Sequence, residues 1–217
     1  MNLVLFDLDN TLLSGDTDVE WFAFLAAQGA LSEIEEKANR EMDRRYRLGE
    51  ASALEYVRCY LRPYARHDMA QLRAWRSRFF EERIVPHMLS GGRDLLYSHR
   101  NELVVIITAT NRFLTEPIAR AFGVEHLIAT EPQIVGGRFT GDVAGEPCMR
   151  EGKIARLEQW LGARGQALAD FPRSWFYSDS VNDVPLLERV TDPVAVDPDE
   201  RLREVARERG WRTISLR

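Results

Sequence analysis

The sequence predicts an α/β protein built on a doubly wound parallel sheet, with an all-helical segment inserted near its start. After Pro86, short apolar runs typical of strands buried on both faces alternate with helical patterns. Between residues 14 and 86 the patterns are helical and no strand signal occurs. We therefore expect a core of residues 1–13 and 87–217, interrupted after its first strand by a helical insertion of residues 14–86.

The first predicted strand is the apolar run 3–6, and helical patterns follow it directly. Because proline lacks the N–H that a helix interior needs, Pro63 breaks this helical run and Pro86 ends it. The patterns predict four helices in the insertion, over residues 19–28, 32–48, 52–61 and 68–85.

Beyond the insertion, the alternation predicts strands at residues 103–107, 127–129, 175–177, 194–196 and 213–216. Helices are expected between them, over residues 92–99, 112–122, 152–161, 184–189 and 199–209. A hairpin is predicted over residues 133–140, since Gly136-Gly137 suits a tight primed turn. Doubly wound sheets bind ligands outside the carboxyl ends of their strands, so polar residues at those ends are the candidates for chemistry.

The composition excludes several classes of protein. With 29 basic and 34 acidic residues, the net charge of −5 argues against a general nucleic-acid binder. No apolar stretch approaches the roughly 18 residues of a membrane span, and no secretory leader pattern opens the chain. The two cysteines form neither a disulfide framework nor a zinc motif. We expect a soluble, cytoplasmic protein without a nucleic-acid or membrane partner.

The strongest chemical signal directly follows the first strand, where Asp7 and Asp9 stand in the run Asp-Leu-Asp-Asn-Thr-Leu. By itself a pair of acids spaced in this way is also compatible with an acidic turn. At the tip of a buried strand, however, two carboxylates repel each other unless a cation lies beside them. The position therefore favours a cation-binding site.

Three further segments supply matching parts. Thr108 follows the second apolar strand, and Lys153 lies at the entry of a predicted helix. Lysine is rare here, since 27 of the 29 basic residues are arginine, so a compact ammonium at this position indicates a specific need. Asp179, Asn182 and Asp183 follow another apolar strand and read as a second corner of a cation site. Helix capping is the alternative role for Asp183.

In this order the four segments resemble the four motifs of the haloacid dehalogenase superfamily of phosphohydrolases. The helical insertion after the first motif resembles the cap of its phosphoserine-phosphatase-like branch, and so does the predicted hairpin. The opening Phe-Asp-Leu-Asp-Asn-Thr-Leu-Leu is similar to that of bacterial members labelled histidinol-phosphatase. The resemblance covers the whole chain. It implies a Rossmann-like core, a helical cap, and hydrolysis of a small phosphorylated metabolite.

The resemblance also implies the roles of the acids. Asp7 is implied as the nucleophile that forms an aspartyl phosphate, and Asp9 as the general acid and base. A carboxylate is already anionic at neutral pH, so Asp7 needs no activating base. Mg²⁺ is the implied cofactor, bound by Asp7, Asp179 and the backbone carbonyl of Asp9, with Asp183 ordering its water ligands.

The residues implied to bind substrate are Asp16, Thr108, Ala109, Lys153 and Asn182. Thr108 and Lys153 would contact the phosphoryl oxygens. Two positions depart from the branch's pattern: Asp16 stands where a Glu grips the substrate amine, and Ala109-Thr110 replaces Gly-Gly. Both departures argue against L-phosphoserine. The negative charge of Asp16 favours an ester that carries an amine, and its shorter side chain leaves more space, so histidinol phosphate is the expected substrate.

Several alternatives stay open. A phosphotransferase would pass the phosphoryl group to a small alcohol instead of water. A receiver-like signalling domain fits less well, because such domains are shorter, carry their acceptor acid on a middle strand and lack a helical insertion. Residues 58–84 hold seven arginines, which lie either on a solvated helix face or at the mouth of the site. The sequence does not indicate an oligomeric state.

Overall fold

A six-stranded parallel sheet forms the centre of the computed structural model, which describes all 217 residues. The strands are β1 (Leu3–Phe6), β2 (Leu103–Asn111), β3 (His126–Thr130), β4 (Pro132–Val135), β5 (Arg138–Val143), β6 (Ser174–Ser178), β7 (Asp192–Val196) and β8 (Arg212–Ile214). Six of them pair in the order β3-β2-β1-β6-β7-β8, and β4 with β5 forms a separate antiparallel hairpin. The predicted doubly wound α/β fold is confirmed.

Nine α-helices surround or precede this sheet. They are α1 (Thr17–Ala27), α2 (Glu33–Arg47), α3 (Ala53–Leu61), α4 (Met69–Phe79), α5 (Ser90–Ser98), α6 (Arg112–Ala121), α7 (Glu151–Gly162), α8 (Val184–Leu187) and α9 (Glu200–Arg209). Ser32 and Ser52 start α2 and α3 with capping boxes, each closed by a glutamate three residues later. No helix has both the length and the apolar character that crossing a membrane requires.

Two predicted elements differ from the structure by four or more residues at one end. The helix expected over residues 68–85 stops at Phe79 and continues as a π-helical turn, Phe80–Ile84. A π-helical turn pairs residues that are five apart, so the buried side chains of Phe79 and Ile84 lie nearer the same side of the helix than they would in an α-helix. The second strand runs on to Asn111 instead of ending at residue 107, because β2 continues to pair with β3 beyond the apolar run.

The apolar core lies on both faces of β1. Its four residues are fully buried, and their side chains alternate between the faces as in any strand. Val4 and Phe6 join a cluster that includes Trp21 and Phe79 of the helical insertion. Leu3 and Leu5 belong to a second cluster, with side chains of α7 and α9. The insertion is thus anchored by apolar packing on one face of the sheet.

The insertion leaves and rejoins the core where Leu13 and Met88 form an isolated antiparallel bridge. This bridge lies beside the predicted boundaries at residues 13 and 87. The division into a core and a cap stays a prediction.

The sheet topology brings three strand ends together. In the register, Phe6 of β1 lies opposite Ile106 of β2 and Tyr177 of β6. The strands β2 and β3 lie on one side of β1, and β6, β7 and β8 lie on the other, so the strand order reverses at β1. Doubly wound folds bind ligands in the crevice at such a switch point. The residues that follow β1 and β6 therefore face one another at this edge.

Candidate active site

All nine residues predicted for the site line a single cavity of about 140 Å³ at the carboxyl edge of the sheet, called here the inner cavity. They are Asp7, Asp9, Asp16, Thr108, Ala109, Lys153, Asp179, Asn182 and Asp183. The structure thus brings together segments that are far apart in the chain. Their individual roles stay predictions.

Lys153 lies at the centre of an ion-pair network. Its Nζ donates to Asp7 Oδ1 and to Asp183 Oδ2, each at 2.7 Å, and the residue is only 2% exposed. The Ser178 hydroxyl also donates to Asp183 Oδ2, at 2.6 Å. Burial by itself would lower the pKa of Lys153, but the carboxylates of Asp183 and Asp7 outweigh it and raise the pKa. Lys153 is therefore a buried, charged ammonium, whereas a typical helix lysine is solvated.

The entry of α7 explains how this lysine is positioned. A Cβ on Gly152 would lie 2.1 Å from the carbonyl oxygen of Pro147, closer than any real contact. Only glycine therefore allows the first turn of α7 to pack against this backbone, which holds the neighbouring Lys153 in the cavity. The sequence contained this glycine, but no local pattern revealed the close approach.

Asp9 is held from two sides. Its Oδ1 accepts the backbone N–H of Thr17 at 2.7 Å and also the Thr17 hydroxyl, at the start of α1. Its Oδ2 accepts the Thr110 hydroxyl at 2.8 Å and, more distantly, the Thr108 hydroxyl at 3.4 Å. The carboxyl group thus lies between the helical insertion and β2, with its orientation fixed. Sequence reasoning missed Thr17 and Thr110, although Thr110 was noted as a departure from the family pattern.

The remaining acids at the bottom of the cavity are crowded. Asp179 Oδ1 accepts the Thr11 hydroxyl at 3.1 Å. Burial, together with the charges of Asp7 and Asp183, raises the pKa of Asp179 well above its usual value. Burial also raises the pKa of Asp7 to about 7, because Lys153 offsets only part of the effect. A single ammonium does not balance these carboxylates.

This excess of carboxylate oxygen suits a hard divalent cation, which prefers oxygen ligands. No group of three or more His, Cys, Asp and Glu side chains is arranged to hold a metal ion. The predicted magnesium site does not need one, since it combines two carboxylates with a backbone carbonyl and water. The chemistry of the residues present therefore fits Mg²⁺.

The side of the inner cavity formed by the start of α1 carries two further acids. Asp16 caps α1 by accepting the Val19 N–H at 3.0 Å, and burial, with the charge of Asp9, raises its pKa to about 7. Asp18 accepts weak hydrogen bonds from Thr110 and Asn111, both at 3.4 Å. Burial raises the pKa of Asp18 well above its usual value. Asp18 was not predicted, because nothing in the sequence separates it from other first-turn acids.

A larger outer cavity of about 530 Å³ adjoins the inner one. The two share the lining residues Asp16, Tyr56, Met149, Arg150 and Asn182. The rest of the outer wall comes from α1, from α2 and from the core near α9. The rings of Tyr46 and Tyr56 lie 4.5 Å apart in this wall. The outer cavity offers space for a group attached to a phosphate bound in the inner one.

The seven arginines of residues 58–84 line neither cavity. Arg58 pairs with Asp142 at 2.8 Å, and Arg66 pairs with Glu35 at 2.8 Å. Arg76 donates to the carbonyl of Phe113 at 2.8 Å. These contacts favour a structural role for the arginines over a position at the mouth of the site. Arg150, which no motif singled out, is the arginine that lines both cavities.

Comparison with known proteins places this geometry in context. A family model for haloacid dehalogenase-like hydrolases matches residues 4–188. The chain is 38% identical over 220 residues to a histidinol-phosphatase from Neisseria meningitidis serogroup C (strain 8013), covering 100% of this chain and 99% of that protein. It is 32% identical over 225 residues to a phosphoserine phosphatase from Mycobacterium tuberculosis (strain ATCC 25618 / H37Rv), covering 98% of this chain and 70% of that protein.

Among solved structures, a protein of unknown function from Bordetella pertussis Tohama I is 46% identical to this chain. The two superpose with a TM-score of 0.95, over 100% of this chain and 99% of the other. The likeness therefore extends over the helical insertion as well as the sheet.

Proposed function

Because this chain belongs to the haloacid dehalogenase-like hydrolase family, we propose that it hydrolyses small phosphate monoesters in the inner cavity. The family membership confirms the resemblance drawn from the four motifs. One observation carries the proposal: Asp7, at the end of the central strand, is held 2.7 Å from the buried ammonium of Lys153. A carboxylate in this position is available as a nucleophile, and a fixed positive charge lies beside it.

In the first step, a carboxylate oxygen of Asp7 attacks phosphorus and the bond from phosphorus to the ester oxygen breaks. Asp9 gives its proton to the departing alcohol oxygen, which leaves an aspartyl phosphate on Asp7. In the second step, water attacks this phosphorus and Asp9 takes the proton from the water. The bond to Asp7 breaks, inorganic phosphate leaves, and both acids return to their starting forms. The hydrogen bonds from Thr17 and Thr110 support this role by fixing Asp9.

Asp7, Asp179 and the backbone carbonyl of Asp9 would hold Mg²⁺, and Asp183 would order its water ligands. When bound, the cation neutralises charge on the nucleophile and on the phosphoryl oxygens. The raised pKa values of Asp7 and Asp179 support this assignment, because they reflect negative charge that the protein alone does not balance.

Thr108, Lys153 and Asn182 would bind the phosphoryl oxygens. Thr108 is 1% exposed and lies in β2 beside the nucleophile, where its hydroxyl is a neutral donor. Lys153 supplies a fixed charge that need not reorganise during the reaction, which is the main source of electrostatic stabilisation in such sites. Ala109 contributes to the wall of the cavity.

We propose that residues 14–86 act as a cap that reads the leaving group. Asp16 begins the first helix of this segment and lines both cavities. With Asp18 beside it, this wall favours a substrate that carries an amine near its phosphate. Histidinol phosphate, which has an amine and a ring but no carboxylate, fits such a wall better than phosphoserine. The relative named histidinol-phosphatase, alike over its whole length, supports the same choice.

The test is a panel of esters assayed with and without Mg²⁺: p-nitrophenyl phosphate, histidinol phosphate, phosphoserine and a sugar phosphate. We expect hydrolysis that depends on Mg²⁺, with the highest kcat/KM for histidinol phosphate. Full activity after exhaustive chelation would contradict the metal assignment. Adding a small alcohol and measuring a new phosphate ester against free phosphate separates hydrolysis from phosphotransfer.

We also propose a cytoplasmic location, with no nucleic-acid or membrane partner. The net charge of −5 and the two free cysteines support this proposal. Fractionation of the cells that make the protein would test it, and recovery in a secreted or membrane fraction would contradict it.

A further inference from the structure

Arg150 has an unusual backbone conformation. Its φ of 52° and ψ of −123° fall in a region that residues with a side chain rarely adopt. The other non-glycine residues with positive φ are Asn10 and Asp197, and short polar side chains of these two types tolerate such values. An arginine does not share this tolerance. Strain of this kind persists only where the surrounding structure imposes it, and it concentrates at functional sites.

The side chain of Arg150 reaches from the core to the helical insertion. Its guanidinium carbon lies 4.7 Å from the centre of the Tyr46 ring, in α2. Its Nε is buried and has no hydrogen-bond partner. Buried donors are nearly always hydrogen-bonded, so an unpaired donor on a side chain that lines both cavities leaves hydrogen-bonding capacity for a ligand.

The charges of the inner cavity indicate what this ligand is. Six carboxylates line the cavity, and its two cations are Lys153 and Arg150. Lys153 is committed to Asp7 and Asp183 at 2.7 Å. Arg150 makes no ion pair within the chain. In addition to Lys153 and the proposed Mg²⁺, an arginine without an ion-pair partner at this wall of carboxylates would favour entry of a phosphate monoester, and the planar fork of arginine matches phosphoryl oxygens.

We infer that Arg150 binds the phosphoryl group of the substrate at the mouth of the inner cavity. Its guanidinium lies against the ring of Tyr46, and the residue lines both the inner and the outer cavity. The four motifs do not include this residue. The inference rests on the proposed function, since it assumes that a phosphoryl group occupies the inner cavity.

The experiment measures binding of inorganic phosphate by calorimetry in the presence of Mg²⁺, together with the KM for p-nitrophenyl phosphate. The principal variant is Arg150→Gly, because glycine adopts this backbone conformation without strain. We expect its Kd for phosphate to rise by about 10- to 100-fold, the usual size of a hydrogen bond to a charged group. KM should rise in parallel, while the melting temperature stays equal to that of the wild type or increases.

Arg47→Ala is the matched control. Arg47 is exposed, makes no ion pair, and lines the outer cavity but not the inner one. The substitution therefore deletes the same charge at a position outside the inner cavity. Its Kd for phosphate should stay within about twofold of the wild-type value. Arg150→Lys, which keeps the charge but loses the fork, should give an intermediate Kd.

Two outcomes would overturn the inference. One is an Arg150→Gly protein with wild-type Kd and KM. The other is an equal loss of phosphate binding in Arg47→Ala, which would mean that only the general field matters. A wild-type protein that binds phosphate through Arg150 but hydrolyses none of the esters would contradict the proposed function and leave the inference standing.

Discussion

The floor and the mouth of the inner cavity differ in how their charges are balanced. The floor consists of Asp7, Lys153 and Asp183, which are at most 7% exposed and joined by two ion pairs at 2.7 Å. The mouth consists of Asp16, Asp18, Tyr56 and Arg150, none of which makes an ion pair within the chain. The charged groups of the floor are thus paired with one another within the chain, whereas those of the mouth have no ion-pair partner in it.

Under the proposed function, we expect this difference to separate the chemical step from the choice of substrate. The floor is built on the ends of β1 and β6 and on the start of α7, all tied into the sheet. Most of the mouth lies on the helical insertion, which joins the core near the bridge between Leu13 and Met88. Changes to the floor should therefore abolish turnover of every ester. Changes to the mouth should alter which ester is preferred.

The largest effect is expected for Asp7→Asn. Loss of the nucleophile should reduce kcat by about 10⁴-fold or more for all esters, since nothing else at the floor forms the covalent intermediate. The melting temperature should not fall, because the substitution removes a buried carboxylate whose pKa is raised to about 7. Steady-state kinetics and thermal unfolding check both statements.

Asp94→Asn is the control for that variant, since Asp94 is an exposed acid in α5. It should have wild-type kinetics. If Asp7→Asn kept substantial turnover, or if mass spectrometry after rapid quenching found phosphate on another side chain, the proposed mechanism would be wrong.

Lys153→Arg should lower kcat by roughly 10²-fold, the size of losing one preorganised donor. Arginine is the usual cation of this chain, but a planar fork does not fit the space of a small ammonium held by two carboxylates at 2.7 Å. Rapid kinetics on p-nitrophenyl phosphate measure the loss. Near-normal rates would show that the floor tolerates any cation, and the contrast between floor and mouth would then weaken.

Gly152→Ala tests whether the position of Lys153 depends on the close packing of α7. The added Cβ would lie 2.1 Å from the Pro147 carbonyl, and such overpacking typically costs about 1–3 kcal/mol. We expect a lower melting temperature and a kcat reduced by about tenfold, since an additional 1.4 kcal/mol in the barrier has that effect.

The matched control is Gly162→Ala, at the other end of the same helix. A Cβ there meets no atom within 4 Å, so the change should be neutral or slightly stabilising. Equal behaviour of the two variants would mean that the close approach at Gly152 does not position the lysine.

Asp16→Asn should have a small effect that depends on pH. Burial and the charge of Asp9 raise the pKa of Asp16 to about 7 in the folded protein, from 3.8. Between these values the folded state holds a proton that the unfolded state has released, so this group lowers the free energy of unfolding as pH rises from 4 to 7. Asparagine also caps a helix but does not ionise, so the variant does not lose free energy of unfolding in this way. The melting temperature of the variant should be about 2–4 °C higher than that of the wild type at pH 8, and the two melting temperatures should be equal at pH 4.

Asp68→Asn is the control, because Asp68 caps α4 in the same way but is exposed and remote from the cavity. Its melting temperature should follow the wild type at both pH values. Asp16→Asn should also reduce the preference for histidinol phosphate over a sugar phosphate, by about tenfold in the ratio of kcat/KM. An unchanged ratio would remove Asp16 from substrate selection.

The sequence by itself determined the sheet, the helical insertion and the floor of the cavity. Runs such as Leu3–Phe6 are apolar throughout because they are buried on both faces, and acids or hydroxyls directly after them must meet at one edge of a parallel sheet. The rarity of lysine identified Lys153. These signals are local, or follow from the topology alone.

Only the tertiary structure decided the mouth. Asp18 and Thr110 meet across 92 positions of the chain, and β2 had to extend beyond its apolar run for Thr110 to reach Asp9. The strained backbone of Arg150 and the close approach at Gly152 depend on which segments pack against them. Such contacts arise from the packing of distant segments, and a local pattern of residue types does not encode the distances between them.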